Sequence, residues 1–362
     1  MKRGADTTLR AKRRGLGAEF RDGVTVRAAV LVIGVALLQL GFIASYVGAF
    51  GHPTPHRLPL AVVAPFSVQA KVVSELNAVA GSPLAAVAVP TVAAGRADLL
   101  HRTAYGVFVV DAVGSVDGLL EASASGVSAA TAMTDVMQGV EAHVHRTVVV
   151  DDIRPPLLGD HNSLTSFYLV IGWIIGGYLA AAMLGVSSGS RPANVNRATV
   201  RLSAMALYAV VTGLLGAVIV GPWLHSLPDH LLGLWLLGSL LIFCTGAFTI
   251  GLQVMAGTVG IGIAILIFVV LGNPSAGGAY TWQLLPKLWR VIGPWIPNGA
   301  GTSAARGIAY FGSTGVTTDY LVIIGYGVAG LIATYGVLFY VGHQLVHLVG
   351  DDEDNDDERL MR

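Results

Sequence analysis

The feature that most constrains this chain is a long stretch without basic residues. Between Leu202 and Pro286 there is no lysine or arginine, and Asp229 is the only acid. Over all 362 residues, 54% are hydrophobic and 12% are charged, whereas soluble domains carry about a quarter charged residues. This composition predicts a membrane protein. It excludes an ordinary soluble enzyme, a nucleic-acid-binding protein and a disordered chain.

Six segments are apolar enough to cross the roughly 30 Å hydrocarbon core, which needs about 20 residues. They are residues 28–50, 164–186, 202–224, 231–253, 255–272 and 320–343. The fourth and fifth segments are separated by the polar Gln253 and a tight turn at Gly257 and Thr258. The first segment has 23 residues, which exceeds the about 7–15 apolar residues of a cleaved signal peptide. We therefore favour an uncleaved signal-anchor.

The distribution of basic residues orients the spans. Residues 1–27 hold eight basic and three acidic side chains, and the turn 225–230 has no lysine or arginine. The connection between the second and third spans carries Arg191, Arg197 and Arg201 without an acid. We therefore expect the N-terminus, this connection and the acidic tail 349–362 in the cytoplasm, with residues 51–163 and 273–319 outside.

Residues 51–163 have ordinary charge content and are long enough for one small domain. Apolar periodicity predicts the order β-α-β-α-β-β-α-β, with strands covered by helices on at least one face. The strands are expected at 60–64, 84–89, 105–110, 116–122 and 147–151, and the helices at 66–80, 93–102 and 127–142. The predicted fold is a polytopic α-helical membrane protein with six transmembrane helices and one extracytoplasmic α+β domain between helices 1 and 2. A five-helix transmembrane domain at 164–348 follows.

Residues 273–319 are rich in glycine, proline and aromatic side chains. Tryptophan prefers the membrane–water boundary because its ring is apolar while its N–H needs a polar partner. Trp282, Trp289 and Trp295, together with Arg290, therefore predict short helices in the outer interface. Irregular backbone at this depth must be covered by protein or line a wet cavity. We expect the segment to pack on the spans.

Motifs for catalysis are weak. The four lysines neither follow a glycine nor precede a serine or threonine, so the phosphate-binding loop of an ATPase is not present. Residues 185–189 match Gly-x-Ser-x-Gly, but they end a predicted transmembrane helix instead of joining a strand to a helix. Cys244 is the only cysteine, which excludes a disulfide framework within the chain. We expect no enzymatic activity and no cofactor in this chain.

A metal site is a weak alternative. His143 and His145, beside Glu141, could supply two ligands of a zinc site. No third ligand is identifiable from the sequence, so exposed surface histidines are the favoured interpretation.

The predicted spans contain no Asp, Glu, Lys or Arg away from their ends. Ion-driven carriers need ionisable groups within the membrane, so a pump powered from outside this chain fits better than a coupled secondary transporter. Polar residues that could line a translocation path are Gln39, Tyr168, Thr212, Thr245 and Thr249.

Gly172-x-x-x-Gly176 permits close helix approach, either within one chain or between two.

The layout of one span, a large outer domain and five clustered spans resembles the membrane subunits of ABC-2 type transporters, and more closely their phage-infection-protein-like branch. The residues that carry the likeness are Asn273-Pro274-Ser275-Ala276-Gly277-Gly278, Leu284-Leu285-Pro286, Ile296-Pro297-Asn298, Arg306 with Tyr310-Phe311, and Tyr105-Gly106-Val107-Phe108-Val109. This outer domain is more compact than that of many members of the branch.

The resemblance implies an export permease of the bacterial cytoplasmic membrane, for amphipathic or lipid-like substrates. It implies a homodimer or heterodimer of permeases, surrounded by membrane lipids, with a separate ATP-binding cassette ATPase subunit and no nucleic-acid partner. Such subunits contact their ATPase through an amphipathic N-terminal helix, here 9–20, and through the connection between the second and third spans. The contact candidates are Arg13, Arg14, Arg191, Arg197 and Arg201.

Two alternatives remain open. The N-terminal basic segment could be a disordered tail that only sets the topology, instead of an interfacial helix. The whole chain could be a non-transporting membrane scaffold or receptor, whose extracytoplasmic domain binds a partner.

Overall fold

The computed structural model describes residues 26–189, 192 and 194–360, with the backbone alone for 27, 188 and 341–360. The first part of the chain forms α1 (Val26–Phe50), β1 (Leu58–Val63), α2 (Phe66–Asn77), β2 (Leu84–Ala88), α3 (Val92–Leu100), β3 (Gly106–Val109), β4 (Val116–Glu121), α4 (Val127–His143) and β5 (Thr147–Asp152). The second part forms α5 (Thr165–Ser188), α6 (Val195–Val218), α7 (Leu231–Ala256), α8 (Val259–Ile265), α9 (Lys287–Ile292), α10 (Pro297–Tyr310) and α11 (Thr317–Leu360).

Five helical segments of the described chain are long and apolar enough to cross a membrane. They are Ala28–Phe50, Thr165–Ser187, Val195–Trp223, Leu231–Ala256 and Thr317–Tyr340. The third includes a π-helical turn, Ile219–Trp223, that continues α6. This is the architecture of a polytopic membrane protein, as the composition predicts.

The predicted fifth span, 255–272, is shorter than expected. It consists of seven α-helical residues and the six π-helical residues Leu266–Leu271. At about 1.5 Å per residue this is roughly 20 Å, less than the roughly 30 Å of a bilayer core. Hydropathy alone overestimated the segment because α7 continues to Ala256 and the turn at Gly257 uses the residues between the two helices. The count of six spans is therefore not confirmed.

Two helix boundaries differ from the predicted ones. The helix α6 begins at Val195, about two turns before the predicted start at 202, so Arg197 and Arg201 lie within the helix. The helix α7 continues to Ala256, three residues beyond the predicted end of the fourth span at Gln253. Gln253 is fully buried, and its Nε2 donates to the Ala181 carbonyl at 3.2 Å. Its Nε2 is thus paired across to α5, whereas its Oε1 has no hydrogen-bond partner among the described residues.

The five strands form one mixed sheet in the order β2-β1-β3-β4-β5. The pair β3–β4 is antiparallel, whereas β1–β2, β1–β3 and β4–β5 are parallel. The elements alternate along the chain as the apolar periodicity predicts. We call residues 58–152 the sheet domain.

The two faces of the sheet domain are covered by different helices. Leu60 and Phe108 point to one face, where they pack with Leu76 of α2 and with Met133 and Met137 of α4. On the other face, Ala61 and Val107 pack with Leu99 of α3 in an apolar cluster that continues into the long helices. The α3 face therefore docks on the transmembrane part of the chain.

Three of the long helices, α5, α6 and α11, pack around α7, whereas α1 packs on α8 and the π-helical turn after it. Small residues allow these close approaches. A Cβ at Gly177 of α5 would lie 2.8 Å from the Ile242 carbonyl of α7, and one at Gly251 would lie 2.7 Å from the Gly330 carbonyl of α11. By contrast, a Cβ at Gly172 would contact nothing within 4 Å. In the Gly172-x-x-x-Gly176 pair, only Gly176 has a close neighbour within the chain, since a Cβ there would lie 3.1 Å from the Tyr208 hydroxyl of α6.

The sheet domain lies at the end of the bundle where α1 ends and α5 begins. Gly159, in the loop before α5, lies close to the backbone of His225 and Ser226 in the α6–α7 turn. The backbone N–H of Thr54 donates to the Leu284 carbonyl at 3.1 Å, and that of His56 to the Gln283 carbonyl at 2.9 Å. The end of α5 at Ser188 and the start of α6 at Val195 lie at the opposite end of the helices.

A buried carboxyl makes the sheet domain sensitive to pH. Glu121, at the end of β4, is 4% exposed and accepts a hydrogen bond from Thr134 Oγ1 at 2.9 Å. Burial, opposed by the Thr134 hydrogen bond and aided by the nearby Asp152, raises the pKa of Glu121 from 4.5 to about 7. The native state thus holds this proton more tightly than the unfolded state does.

We expect the free energy of unfolding of the sheet domain to fall as pH rises from about 4.5 to about 7 and then to level off. The loss from Glu121 amounts to at most ~3 kcal/mol. Glu121→Gln, which keeps an acceptor for Thr134, should reduce the slope of this dependence but leave the part due to Glu141, whose pKa burial also raises to about 7. Glu75→Gln on the exposed face of α2 should leave the slope unchanged. Amide hydrogen exchange of β4, corrected for intrinsic rates, measures the effect; an unchanged slope in Glu121→Gln would contradict it.

Candidate functional site

A cluster of buried polar side chains joins the sheet domain to the transmembrane helices. We call it the polar junction and define it by Arg102, Asp160, Ser303, Arg306 and Tyr310. The residues come from the end of α3, from the loop before α5 and from α10. They meet because α10 is buried along nearly its whole length, between the sheet domain and the long helices.

Arg306 holds three chain segments together. It is 4% exposed, and its Nη1 donates to the Gly277 carbonyl at 2.7 Å. Its Nη2 donates to the carbonyls of Gly278 at 3.0 Å and Ser163 at 3.1 Å. Burial lowers the pKa of Arg306 to about 10, so the side chain stays protonated at neutral pH. The planar guanidinium suits several carbonyls at once.

Asp160 connects the start of α5 to the end of α10. Its Oδ1 accepts from the backbone N–H and the Oγ1 of Thr165, both at 2.8 Å. Its Oδ2 accepts from the Tyr310 hydroxyl at 2.7 Å. Burial and the carboxylate of Asp160 raise the pKa of Tyr310, so the phenol remains a donor. A carboxylate at the first turn of a helix is also stabilised by the helix dipole.

Arg102 carries the contact from the sheet domain. Its Nη2 donates to Ser303 Oγ on α10 at 2.7 Å, and its Cζ lies 5.8 Å from the centre of the Phe311 ring. Burial lowers the pKa of Arg102, an effect opposed by the nearby Asp319 at the start of α11. The end of α3 is thus linked to both helices that flank the 311–316 turn.

A separate cavity of about 390 Å3 opens between α5 and α6, and we call it the membrane groove. Its residues are Tyr168, Leu169, Gly172, Trp173, Gly176, Tyr208, Thr212, Leu215, Gly216, Ile219, Val220 and Ile242. Two of the predicted path residues, Tyr168 and Thr212, meet here. The Thr212 hydroxyl donates to the Tyr208 carbonyl at 2.7 Å, and the Tyr168 side chain is 63% exposed.

The other three predicted path residues lie elsewhere. Thr245 and Thr249 are fully buried in α7, and each hydroxyl donates at 2.8 Å to the carbonyl four residues earlier. Gln39 is exposed on α1, which packs on α8 and the π-helical turn after it. Hydroxyls bonded to their own helix are expected on buried faces, so the type of residue alone did not reveal which ones share a cavity.

The interfacial tryptophans have three different environments. Trp282 Nε1 donates to the Ser275 carbonyl at 2.9 Å and closes the turn that Arg306 holds. Trp289 Nε1 donates to Ser45 Oγ on α1 at 3.0 Å, and Arg290 beside it is half-buried. Trp295 is 65% exposed. The segment packs on the spans, as the sequence predicts.

The candidate ATPase contacts lie at the opposite end of the helices or outside the described residues. Arg197 is exposed in the first turn of α6, next to the N-cap residue Asn194. Arg201 is 7% exposed, and its Nη2 donates to the Gly189 carbonyl at 2.7 Å, which braces the α5–α6 connection. Arg13, Arg14 and Arg191 lie outside the described residues.

The predicted histidine pair is exposed. His143 Nδ1 lies 2.6 Å from the Gly139 carbonyl, and His145 follows the end of α4. Among the described residues, no three His, Cys, Asp or Glu side chains are grouped as a metal site requires. The sequence did not single out Arg102 or Asp160, because their partners lie 201 and 150 residues away. A signal for the polar junction that the sequence does carry is Arg306, an arginine within a segment rich in glycine and alanine.

Replacing Arg306 tests the polar junction. Arg306→Met leaves three buried carbonyls without a donor, which should reduce the free energy of unfolding by roughly 3 kcal/mol or more. The free energy of unfolding of Arg306→Lys should lie between those of Arg306→Met and the parent, because an ammonium group cannot reproduce the planar set of donors of a guanidinium. Unfolding in detergent, followed by tryptophan fluorescence, measures the loss, with exposed Arg96→Met as a control expected within about 0.5 kcal/mol of the parent. Equal stability of Arg306→Met and the parent would argue against this role.

No family model matches the sequence, and no curated protein or solved structure is significantly similar to it.

Proposed function

We propose that the chain is the permease subunit of an export system for amphipathic or lipid-like substrates. The membrane groove is the observation that carries the proposal. Its walls are apolar, while Tyr168, Tyr208 and Thr212 provide hydroxyls and no charge. Binding cavities of about 300–1,000 Å3 that combine apolar walls with a few polar groups are typical ligand sites. A groove of this kind suits a molecule with a long apolar part and a small polar part.

The energy for transport is proposed to come from a separate ATPase. In the described parts of the five long segments, charged side chains occur only in the first two turns of α6 and the first turn of α11. A proton or ion relay needs such groups deeper in the membrane. ATP hydrolysis in a partner subunit is therefore the favoured source, and the exposed Arg197 at the α5–α6 end is a contact candidate.

The sheet domain is proposed to move together with the helices during transport. The helix α10 contacts α5, α7 and α11, and it is bonded to the sheet domain through Arg102 and Ser303. A displacement of α5 relative to α7 therefore reaches the sheet domain through contiguous buried contacts. Coupling of this kind needs a packed path between the two parts.

Filling the membrane groove tests the proposal. A Cβ at Gly172 meets nothing within 4 Å, so Gly172→Trp adds a ring to the groove without a clash at Cβ. We expect ATP-driven uptake of fluorescent amphipathic probes into inside-out vesicles that contain the partner ATPase, which corresponds to export from the cell, to fall by about tenfold or more. The matched control is Leu207→Trp, on the exposed side of α6 and outside the groove, which should keep its flux.

Equal flux in Gly172→Trp and Leu207→Trp would contradict a path through the groove. No flux with any probe, in vesicles where the outer domain still binds a partner, would favour the scaffold or receptor alternative.

Charge reversal tests the ATPase contact. We expect Arg197→Glu, alone and combined with Arg191→Glu, to reduce the ATPase activity that co-purifies with the chain from membranes of its native host. The physical reason is loss of attraction to an acidic surface of the partner. Arg96→Glu on the sheet domain is the control, whereas Arg201 is unsuitable because its side chain is buried. If as much ATPase activity co-purifies with the variants as with the parent chain, these arginines do not contribute to the interface.

A further inference from the structure

A second groove runs along the sheet domain on the face away from α3. It lies between the C-terminal parts of α2 and α4 and has a volume of about 1000 Å3. Val79, Val136 and Val140 line it together with Pro83. Thr54 and His56, just before β1, form one side of it. We call this cavity and its continuation, described next, the outer groove.

The outer groove continues towards the membrane interface. An adjoining cavity of about 340 Å3 shares Pro55, Asp135 and Val136 with the first and reaches Tyr280 and Leu284. The α4 residues along both cavities extend from Ser128 to His143, a distance of about 22 Å at 1.5 Å per residue. The segment just before β1 is also joined to the interfacial segment, because the backbone N–H groups of Thr54 and His56 donate to the carbonyls of Leu284 and Gln283.

The charge of the outer groove has one sign. Among the residues that line the two cavities, Glu75 and Asp135 are the charged ones, and no lysine or arginine is present. Glu75 lies 3.7 Å from Lys71 Nζ in an exposed pair. Asp135 is exposed where the two cavities join, and its carboxylate pairs with no other described residue. An apolar groove with a free carboxylate at its midpoint suits a ligand that is apolar and positively charged at one end.

We infer that the outer groove binds a single-chain amphiphile with a cationic head group. The alkyl chain lies against Val79, Val136 and Val140 in the larger cavity, and the ammonium group meets Asp135. The inference rests on the proposed function: it names the class of cargo and gives a path from the interfacial segment at Tyr280 and Leu284 to the far end of α4. Amphipathic ligands gain affinity from the buried chain and selectivity from the charge.

A cysteine-protection experiment tests this site in the full-length chain, reconstituted in nanodiscs of zwitterionic lipid. The natural Cys244 is buried, so Val140→Cys supplies the reactive thiol for a water-soluble fluorescent maleimide. A long-chain alkylamine should slow the labelling, and an alkyl sulfate of the same chain length should need an about tenfold higher concentration for the same protection. Val144→Cys, which lines the same cavity, is a second reporter should Val140→Cys fold poorly.

The controls separate the groove from general membrane effects. Val113→Cys, 97% exposed and outside the groove, should be labelled at the same rate with and without either amphiphile. Asp135→Asn should remove the preference for the amine, whereas Asp229→Asn in the α6–α7 turn should keep it. Equal protection by amine and sulfate, no protection at either reporter, or a preference that survives Asp135→Asn would each overturn the inference.

The binding site and the proposed function can fail separately, because protection from labelling reports ligand binding and needs no ATPase. Protection by the amine without vesicle flux would keep the outer groove as a binding site and reject the permease. Flux that is sensitive to Gly172→Trp, without protection in the outer groove, would keep the permease and reject this inference.

Discussion

The rest of the structure depends on satisfying backbone polar groups where the chain turns between membrane helices. Irregular backbone at membrane depth is stable only when protein covers it and its carbonyls find donors. Arg306 supplies those donors to the carbonyls of Gly277, Gly278 and Ser163, which belong to two segments distant in sequence. Because α10 carries this arginine into the buried centre, the segment at Gly277 and Gly278 and the residue before α5 are both anchored to α10.

The same anchor explains how an α+β domain and a helical bundle act as one body. The face of the sheet that bears Val107 belongs to one apolar cluster with the long helices, while Arg102 and Asp160 add polar contacts at its edge. Apolar burial supplies most of the attraction but little directionality. The hydrogen bonds select one orientation, so the outer groove stays aligned with the interfacial segment.

The two grooves differ in the ligand chemistry that they favour. The membrane groove offers hydroxyls without charge, in keeping with a part of the chain where an ion without a partner is costly. The outer groove retains apolar walls but exposes Asp135, where water and salt screen a carboxylate.

The sequence by itself determined the type and order of the elements: apolar segments long enough for membrane helices, of which it predicted six, and a sheet domain whose strands and helices follow the periods of two and of 3.6 residues. Five of the six apolar segments form long helices among the described residues. These depend on contacts between residues close in the chain, so local pattern suffices. Only the tertiary structure decided that the segment at 259–271 is short, that Tyr168 and Thr212 share a cavity while Thr245 and Gln39 do not, and that Asp160 meets Tyr310. Such pairings lie up to 201 residues apart, and they follow from how helix faces pack, which no local period encodes.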